Sequence, residues 1–347
     1  MNICFLMYPW QRIDPAFDST LRLIHECAIR GHTVAITTPN SLTMRDSTVY
    51  GFCDVIIKSR AVSDKAERFY ATAEMRRVKL PMAGFDCIFM RANPPLDTLA
   101  LNFLDSIKQD TLIINDLEGL RIANNKLYTA GWSGPASQFI PNTHVSKNKE
   151  YLMQVLEEND AGKMILKPLN GYGGHGVIVI EKSAQQSVSS LLDYYIGSGD
   201  KSNYVILQDY IEGAEEGDKR ILMLNGEPIG AMRRVPAKGD VRSNIHAGGK
   251  EVKHTLTRQE KQLCATVGPK LVRDGLYFVG LDVIGDKLLE VNVLSPGGIT
   301  RINKLNRTRL QRQVIDWVEN IINSRELLLQ RKSDYRQAIL DANIIAD

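Results

Sequence analysis

The sequence holds no CxxC pair, no low-complexity tract, no internal repeat, no marked excess of one charge sign, and no apolar run near the roughly 20 residues a membrane helix needs. Each absence removes a class of protein. Five cysteines, Cys4, Cys27, Cys53, Cys87 and Cys264, are odd in number and scattered, which argues against a disulfide framework or a cysteine zinc site and fits a reducing cytoplasm. Lys and Arg number 43 against 40 Asp and Glu, a formal charge of +3, so the bulk charge calls for no nucleic acid and no membrane surface. The opening MNICFLMYPW is apolar but short and lacks a basic leader and a small-residue cleavage site; it is expected to be a buried first strand rather than a signal peptide. What remains is an ordinary soluble composition, 44% apolar and 24% charged over 347 residues, enough for two or three domains.

Residues 1–122 alternate strand-like runs (NICFLMY, HTVAITT, CDVIIK, DCIFMR, TLIIND) with a helical one, STLRLIHECAIRG, where Leu21, Ile24, Ala28 and Ile29 share a face, Ser19 offers a cap and Gly31 a stop. That order predicts a parallel α/β unit. Residues 123–205 predict a small α+β unit: KEYLMQVLEEN and SVSSLLDYYIG as helices, with GKMILKPL and GVIVIEK as strands flanking a glycine loop. Residues 206–322 run from the strand YVILQDYI through the hairpin signal LNGE to the helix RLQRQVIDWVENIINS, and 323–347 form an extension, either a surface helix or a frayed end.

Four stretches carry chemistry. In ILKPLNGYGGHGVIVI, Gly171, Gly173, Gly174 and Gly176 free the backbone to wrap an anion beside Lys167; the alternative is a plain glycine-rich hairpin, and neither a Walker loop nor a dinucleotide fingerprint fits. In LQDYIEG and EEGDKRIL, the strand end at Tyr210 and Ile211 offers an adenine slot and Asp218 a ribose contact, or the charged run is a surface turn. In LDVIGDKLLEVNVLSPGG, the turn IGDK folds two strands into a hairpin, so that Asp282, Glu290 and Asn292 bring hard oxygens to one face. Such a set describes a magnesium site, or else a salt-bridged strand. The basic run MRRVPAKGDVRSNIHAGGKE, with Arg233, Arg234, Arg242, Asn244, Gly248 and Gly249, reads as a lid carrying guanidinium forks; one of the neighbouring Arg233 and Arg234 faces inward. His175 and His246 lie in these loops, at the surface or beside a ligand, and Cys53 and Cys87 belong to the core.

In fixed order, Lys126 in NNKLYTA, Lys167 with its glycine loop, LQDYIEG, DKR, the Arg/Gly lid, and GLDVIG to EVNVLSPGG resemble the ATP-grasp ligases, and among them the bacterial glutathione synthetase family. MRANPPLDT and the DST after the first strand extend the resemblance over nearly all of residues 1–320. It implies an ATP-grasp fold, α/β and α+β, with a Rossmann-like preATP-grasp domain at 1–122, a lid at 123–205 and a catalytic subdomain at 206–322. The implied activity is phosphorylation by ATP of the C-terminal carboxylate of γ-glutamylcysteine, followed by attack of glycine on the acyl phosphate. Magnesium, or manganese in its place, and a homo-oligomeric cytoplasmic enzyme belong to the same picture. Phosphoryl transfer of this kind rests on positioning and charge neutralisation, so it needs no Ser, Cys or His nucleophile, and none is evident.

The resemblance assigns phosphates to Lys126, Lys167 and the glycine loop, the adenosine end to Gln208, Asp209, Tyr210, Ile211 and Asp218, and metal to Asp282, Glu290 and Asn292. It assigns the acyl phosphate and substrate carboxylates to Arg220, Arg234, Arg242, Asn244 and Gly249. Substrate contacts fall to Asp18, Ser19, Arg91, Asn93, Ser295, Gly297 and Gly298. The chain departs from the family's usual Ser-Pro-Thr with Ser295, Pro296, Gly297 and Gly298, and in its lead-in YPWQRIDPAFDST, which bears on the acceptor amine and the γ-glutamyl end. A ligase with another acceptor or another γ-glutamyl substrate, or an ATP-binding regulator without turnover, are the alternative readings.

Overall fold

The computed structural model describes residues 1–57, 62–170, 176–199, 202–236 and 249–344. At the amino terminus, Asn2–Met7 (β1), Thr33–Thr37 (β2), Leu42–Arg45 (β3), Thr48–Ile56 (β4), Met75–Pro81 (β5), Cys87–Arg91 (β6) and Leu112–Ile114 (β7) form one sheet in the order β3-β4-β2-β1-β6-β7, with β5 on β4. The strands β2, β1, β6 and β7 are parallel, as the alternating apolar runs predict. Helices cover this part, Ser19–Ile29 (α1), Ala66–Thr72 (α2), Thr98–Asp105 (α3) and Leu117–Ile122 (α4), so β1 and β6 are apolar almost throughout. The antiparallel ribbon of β3, β4 and β5 departs from the expected all-parallel unit, and Cys53 to Ile56 of the run CDVIIK fall in its β4. β5 reads MRRVKLP because Arg76, Arg77 and Lys79 stay exposed, which leaves no apolar run to recognise.

The cap of α1 is Asp18, not Ser19: the Asp18 carboxylate accepts from the Leu21 N–H at 2.7 Å. Ser19 is spent elsewhere. Its hydroxyl accepts the backbone N–H groups of Gly298 and Ile299, at 3.0 and 3.1 Å, and so fastens α1 to a loop some 280 residues away.

The second sheet is antiparallel, in the order β10-β9-β11-β8, from Thr143–Ser146 (β8), Lys163–Pro168 (β9), Ile178–Glu181 (β10) and Val205–Asp209 (β11). The short Leu127–Ala130 (α5) precedes it, and Lys149–Glu158 (α6) and Gln185–Ile196 (α7) pack on it around Leu152, Leu156, Leu166, Leu192 and Leu207. The expected border between residues 205 and 206 therefore cuts through β11, whose partners all lie in this sheet.

Asp218–Leu224 (β12), Glu227–Val235 (β13), Lys250–Lys253 (β14), Phe278–Ile284 (β15) and Lys287–Asn292 (β16) make the third sheet, antiparallel in the order β14-β13-β12-β15-β16. One face buries Ile221, Met223, Ala231, Leu281, Val283 and Leu288 with Leu263, Cys264, Val267 and Leu271 of Arg258–Arg273 (α8). The other buries Leu222, Leu224, Met232 and Phe278 with Ile299–Asn306 (α9), Leu310–Ile344 (α10) and the amino-terminal α1. The first and third units thus share both clusters, while the second has its own. The extension continues α10 to residue 344, a helix of 35 residues. No described helix is long and apolar enough to cross a membrane.

Asn115 joins β7 to the third sheet. Its amide donates to the carbonyls of Phe278 at 2.9 Å and Val293 at 2.7 Å and accepts the Phe278 N–H at 2.7 Å, all buried. Asn115→Ala strands three buried backbone groups, each worth about 1–3 kcal/mol when unsatisfied, so a clear fall in the urea midpoint is expected; an unchanged midpoint would show that water replaces the amide.

Candidate active site

The three units enclose a cavity of about 1300 Å3. Its floor is one face of the third sheet, where the period of two puts Asp218 and Arg220 of β12, Arg234 of β13, Asp282 of β15, and Glu290 and Asn292 of β16 on the same side. The register is direct: Asp218 lies opposite Arg234, Arg220 opposite Asp282, and Asp282 opposite Glu290. Farther along the same strands Leu222, Leu224, Met232 and Phe278 take over, so the polar end faces the cavity and the apolar end the core.

The charges alternate in a row. Arg234 Nε donates to Asp218 Oδ1 at 2.7 Å and its Nη2 to Asp218 Oδ2; the same Nη2 lies 2.9 Å from Asp282 Oδ1. Arg220 binds Asp282 through Nε at 2.6 Å and Nη2 at 2.9 Å, and donates Nη1 to the carbonyl of Gly297 at 3.2 Å. All four residues are at most 9% exposed. Burial works against the Asp282 charge, yet the Arg220 and Arg234 guanidiniums outweigh it and hold the carboxyl down at about 2. Burial likewise opposes the charge on Arg234, and Asp282 and Asp218 overcome it, so this side chain stays charged well above the ordinary arginine value.

Asn292 Nδ2 donates to Asp282 Oδ2 at 3.1 Å, and Glu290, more exposed, lies 3.6 Å from Lys126 Nζ. Asp282 and Glu290 face each other across the strand pair and could give hard oxygens to a small divalent cation that shares its remaining positions with phosphate and water; as the side chains stand, both Asp282 oxygens accept from arginines and Asn292 turns its nitrogen toward them. Among the described residues no group of three or more His, Cys, Asp or Glu has metal-binding geometry, so any such ion takes few protein ligands. Here the positive charge beside Asp282 comes from two arginines, and beside Glu290 from Lys126.

Lys167 reaches the cavity from β9, its Nζ 2.8 Å from Gln208 Oε1 on β11, and Gln208 in turn donates to Thr143 on β8. Burial pushes the Lys167 ammonium down to about 8; Glu290 pulls it up and Lys126 pushes it further down. Tyr210 and Ile211 line the wall with Ile165 and Leu289. Asp209 also lines it, but its two oxygens accept from Asn142 and Asn159, and both oxygens of Asp218 are occupied by Arg234.

At the amino-terminal end, Asp18 accepts from Tyr8 as well as capping α1, and Arg91 donates to Thr20 Oγ1 at 3.0 Å and to the Pro296 carbonyl at 3.2 Å. With Ser19, these side chains set the position of the 295–299 loop. Asn93, Ser295, Gly297 and Gly298 line the cavity. A Cβ on Gly297 would meet nothing within 4 Å, whereas Gly298 holds φ +129°, which only glycine adopts readily. Gly176 and Gly249 stand outside the described lining; Gly171, Gly173, Gly174, Arg242 and Asn244, with His175, His246 and Gly248, lie outside the described residues. Tyr8, Arg12 and Thr20 of the lead-in YPWQRIDPAFDST line the cavity, and so do Ile165, Leu289 and Arg301, which the sequence had not singled out. Leu289 is the extra residue between the pairs Asp282–Glu290 and Val283–Leu288, a bulge that no sequence feature marks.

Residues 1–121 match the family described as prokaryotic glutathione synthetase, N-terminal domain, and residues 125–307 the prokaryotic glutathione synthetase ATP-grasp domain. A glutathione synthetase of Thermosynechococcus vestitus is 35% identical over 325 residues, covering 92% of this chain and 99% of the relative. One from Nostoc is 36% identical over 332 residues, covering 92% and 98%. Among solved structures, D-cycloserine synthetase DcsG superposes with a TM-score of 0.59 at 15% identity over 91% of this chain and all of its own, a likeness of fold.

The depressed lysine makes a pH-dependent prediction. With the folded value near 8 and the unfolded one near 10.5, the buried charge costs stability below about pH 8, and that cost fades as pH rises from 8 to 10.5. An anion at Nζ reverses the shift, so a bound polyphosphate should weaken as pH rises through 8 and its binding there should take up a fraction of a proton. Calorimetry with a nucleoside triphosphate in two buffers of different ionisation heat measures this; Lys167→Met should abolish the uptake, and equal heats with the native chain would refute the assignment.

Proposed function

The chain belongs to the prokaryotic glutathione synthetase family, and from that premise we infer that it is an ATP-dependent ligase joining γ-glutamylcysteine to glycine. The observation that carries the residue-level reading is the row Asp218–Arg234–Asp282–Arg220, which puts four compensated charges at the floor of a cavity bounded by all three units. Phosphoryl transfer asks the protein for position and for cations where negative charge develops, and this floor supplies both.

We assign the polyphosphate to Lys126 and Lys167, and the base to the wall of Gln208, Tyr210 and Ile211. Asp282, Glu290 and Asn292 would hold magnesium, which, when bound, neutralises charge on the phosphate oxygens. In the first step the dipeptide's terminal carboxylate attacks the γ-phosphorus and ADP leaves; Arg220 and Arg234 face the charge spread over the transferring group. In the second, the glycine amine attacks the acyl carbon, phosphate departs and the amine loses a proton. Ser295, Gly297 and Gly298, braced by Ser19 and Arg91, hold the carboxylate of the incoming amine, and Asn93 and Asp18 border the γ-glutamyl end. We assign residues 1–122 to substrate positioning, the unit from 123 to β11 to the lid, and the third sheet to catalysis. A reducing cytoplasm is supported by five buried cysteines, all free.

Incubation with ATP, magnesium, γ-glutamylcysteine and glycine should release phosphate and tripeptide in equal amounts; no product at millimolar substrates ends the reading. Glu290→Gln, on a partly exposed side chain, should lower kcat about a hundredfold or more with the fold intact, and near-normal rates at saturating magnesium would remove Glu290 from the metal set. Arg234→Ala should cripple turnover and also destabilise the protein by about 3–5 kcal/mol, because Asp218 loses its partner while buried. Arg234→Lys, which keeps the charge but not the fork, separates the two effects in turnover and melting measurements.

A further inference from the structure

The carboxyl-terminal helix does more than close the core. Leu310, Val314, Ile315, Val318 and Ile322 bury one stripe of α10. Arg30 of α1 clamps the same stretch through Asp316 and Glu319, at 2.6 and 2.7 Å. The last tie described is Arg325 Nη2 to the Gln109 carbonyl at 3.0 Å. From there to residue 341 the helix is exposed on every side, an arm of about 25 Å at 1.5 Å per residue.

That arm has two unlike faces. One is stitched for water by hydrogen bonds from Gln330 to Asp334 and from Gln337 to Asp341, each one turn apart, at 2.8 and 2.7 Å. The opposite face carries Leu328, Tyr335 and Ile339, with Leu329 beside them, 59% to 69% exposed. Soluble surfaces rarely leave so many large apolar side chains together unless something covers them.

We propose that the arm pairs antiparallel with the same arm of a second copy of this chain. The seam residues Leu328, Lys332, Tyr335 and Ile339 follow the alternating spacing of four and three that coiled coils use. Antiparallel pairing about the midpoint between 333 and 334 sets Leu328 on the second copy's Ile339 and Lys332 on its Tyr335 ring, each contact made twice by symmetry. Beside the seam, Arg336 meets Leu329; Arg331, which lies over its own chain's Tyr335 ring at 5.5 Å and donates Nε to that hydroxyl at 3.1 Å, swings to Ala338 of the second copy as Lys332 takes the ring. A parallel pair in register would stack Lys332 on Lys332. Four basic against three acidic residues between 323 and 344 leave little net attraction for an anionic bilayer. A seam on an arm of about 25 Å is short beside the roughly 1,000 Å2 of specific interfaces, so a weak dimer is expected.

Sedimentation equilibrium of the full chain should give a mass that halves in Leu328→Glu/Ile339→Glu, with ligase turnover per chain kept as a control of folding. An unchanged mass, or a chain already monomeric at 100-fold above micromolar concentration, overturns the proposal. The register has its own readout, because the five native cysteines are buried. Mild oxidation should link Leu328→Cys/Ile339→Cys into covalent dimers, while Leu328→Cys alone, about 16 Å from its copy, should not link. Linkage by the single variant, or monomeric binding of the arm to phosphatidylglycerol vesicles in place of linkage, would refute antiparallel pairing.

Discussion

The alternation of carboxylate and guanidinium along Asp218, Arg234, Asp282 and Arg220 is the constraint on which the rest of this molecule depends. Each member is buried, and each would be costly alone. Together they are tolerated because cross-strand register brings opposite charges face to face on three neighbouring strands. A slip of one residue in β12, β13 or β15 would turn a charge into the apolar side of the sheet, so the row fixes register as firmly as the core does. Buried ion pairs seldom stabilise a fold relative to apolar residues of the same size. Their presence at the cavity floor is therefore better explained by what they prepare, a set of oriented charges that needs no rearrangement of the backbone when an anion enters.

Arg220 extends this constraint beyond the sheet. Its third donor holds the Gly297 carbonyl, while Arg91 holds Pro296 and Ser19 holds the next two N–H groups. The loop after β16 is thus suspended between the catalytic floor and the amino-terminal unit. The two units also share their apolar clusters, which makes them one rigid frame around that loop. The sheet bearing Lys167 has a separate core, so the cation it contributes is free of that frame in a way Arg220 and Arg234 are not.

Much of the site was legible because local periodicity carries it. Spacings of two at Asp218 and Arg220, and at Glu290 and Asn292, put each pair on one face; that the second pair shares the face of Asp282 depends on the bulge at Leu289, because the plain register of the turn would set Leu281 opposite Glu290. The parallel core strands and most helices follow from apolar runs of the right period. What was not legible depends on partners far away in the chain. Ser19 reads as a cap, and only the approach of residues 298 and 299 shows its other use. Strand β11 reads as the start of a new unit because nothing local says that β8 and β9 will flank it. β5 hides behind its charges, and Arg301 reaches the cavity through the docking of units that no short window records.

A salt-bridged strand was open in the sequence as the alternative to a metal site, but its partners, Arg220, Arg234 and Lys126, were not, and they change the physical picture of the site. Hard oxygens on one face suggest carboxylates waiting for a cation, but Asp282 is already compensated by two arginines and Glu290 lies close to a lysine. Charge at the floor is balanced before any ligand arrives. In the proposed reading a metal–polyphosphate would bring both signs at once, so Asp282 and Glu290 would hold the cation and Arg220 and Arg234 the phosphates with no charge left uncovered. An anion without its metal gains the arginines only by stripping the carboxylates, and a metal without its anion does the reverse. With the proposed ligands, the alternation would favour the pair over either component, since each half would complete what the other half disrupts.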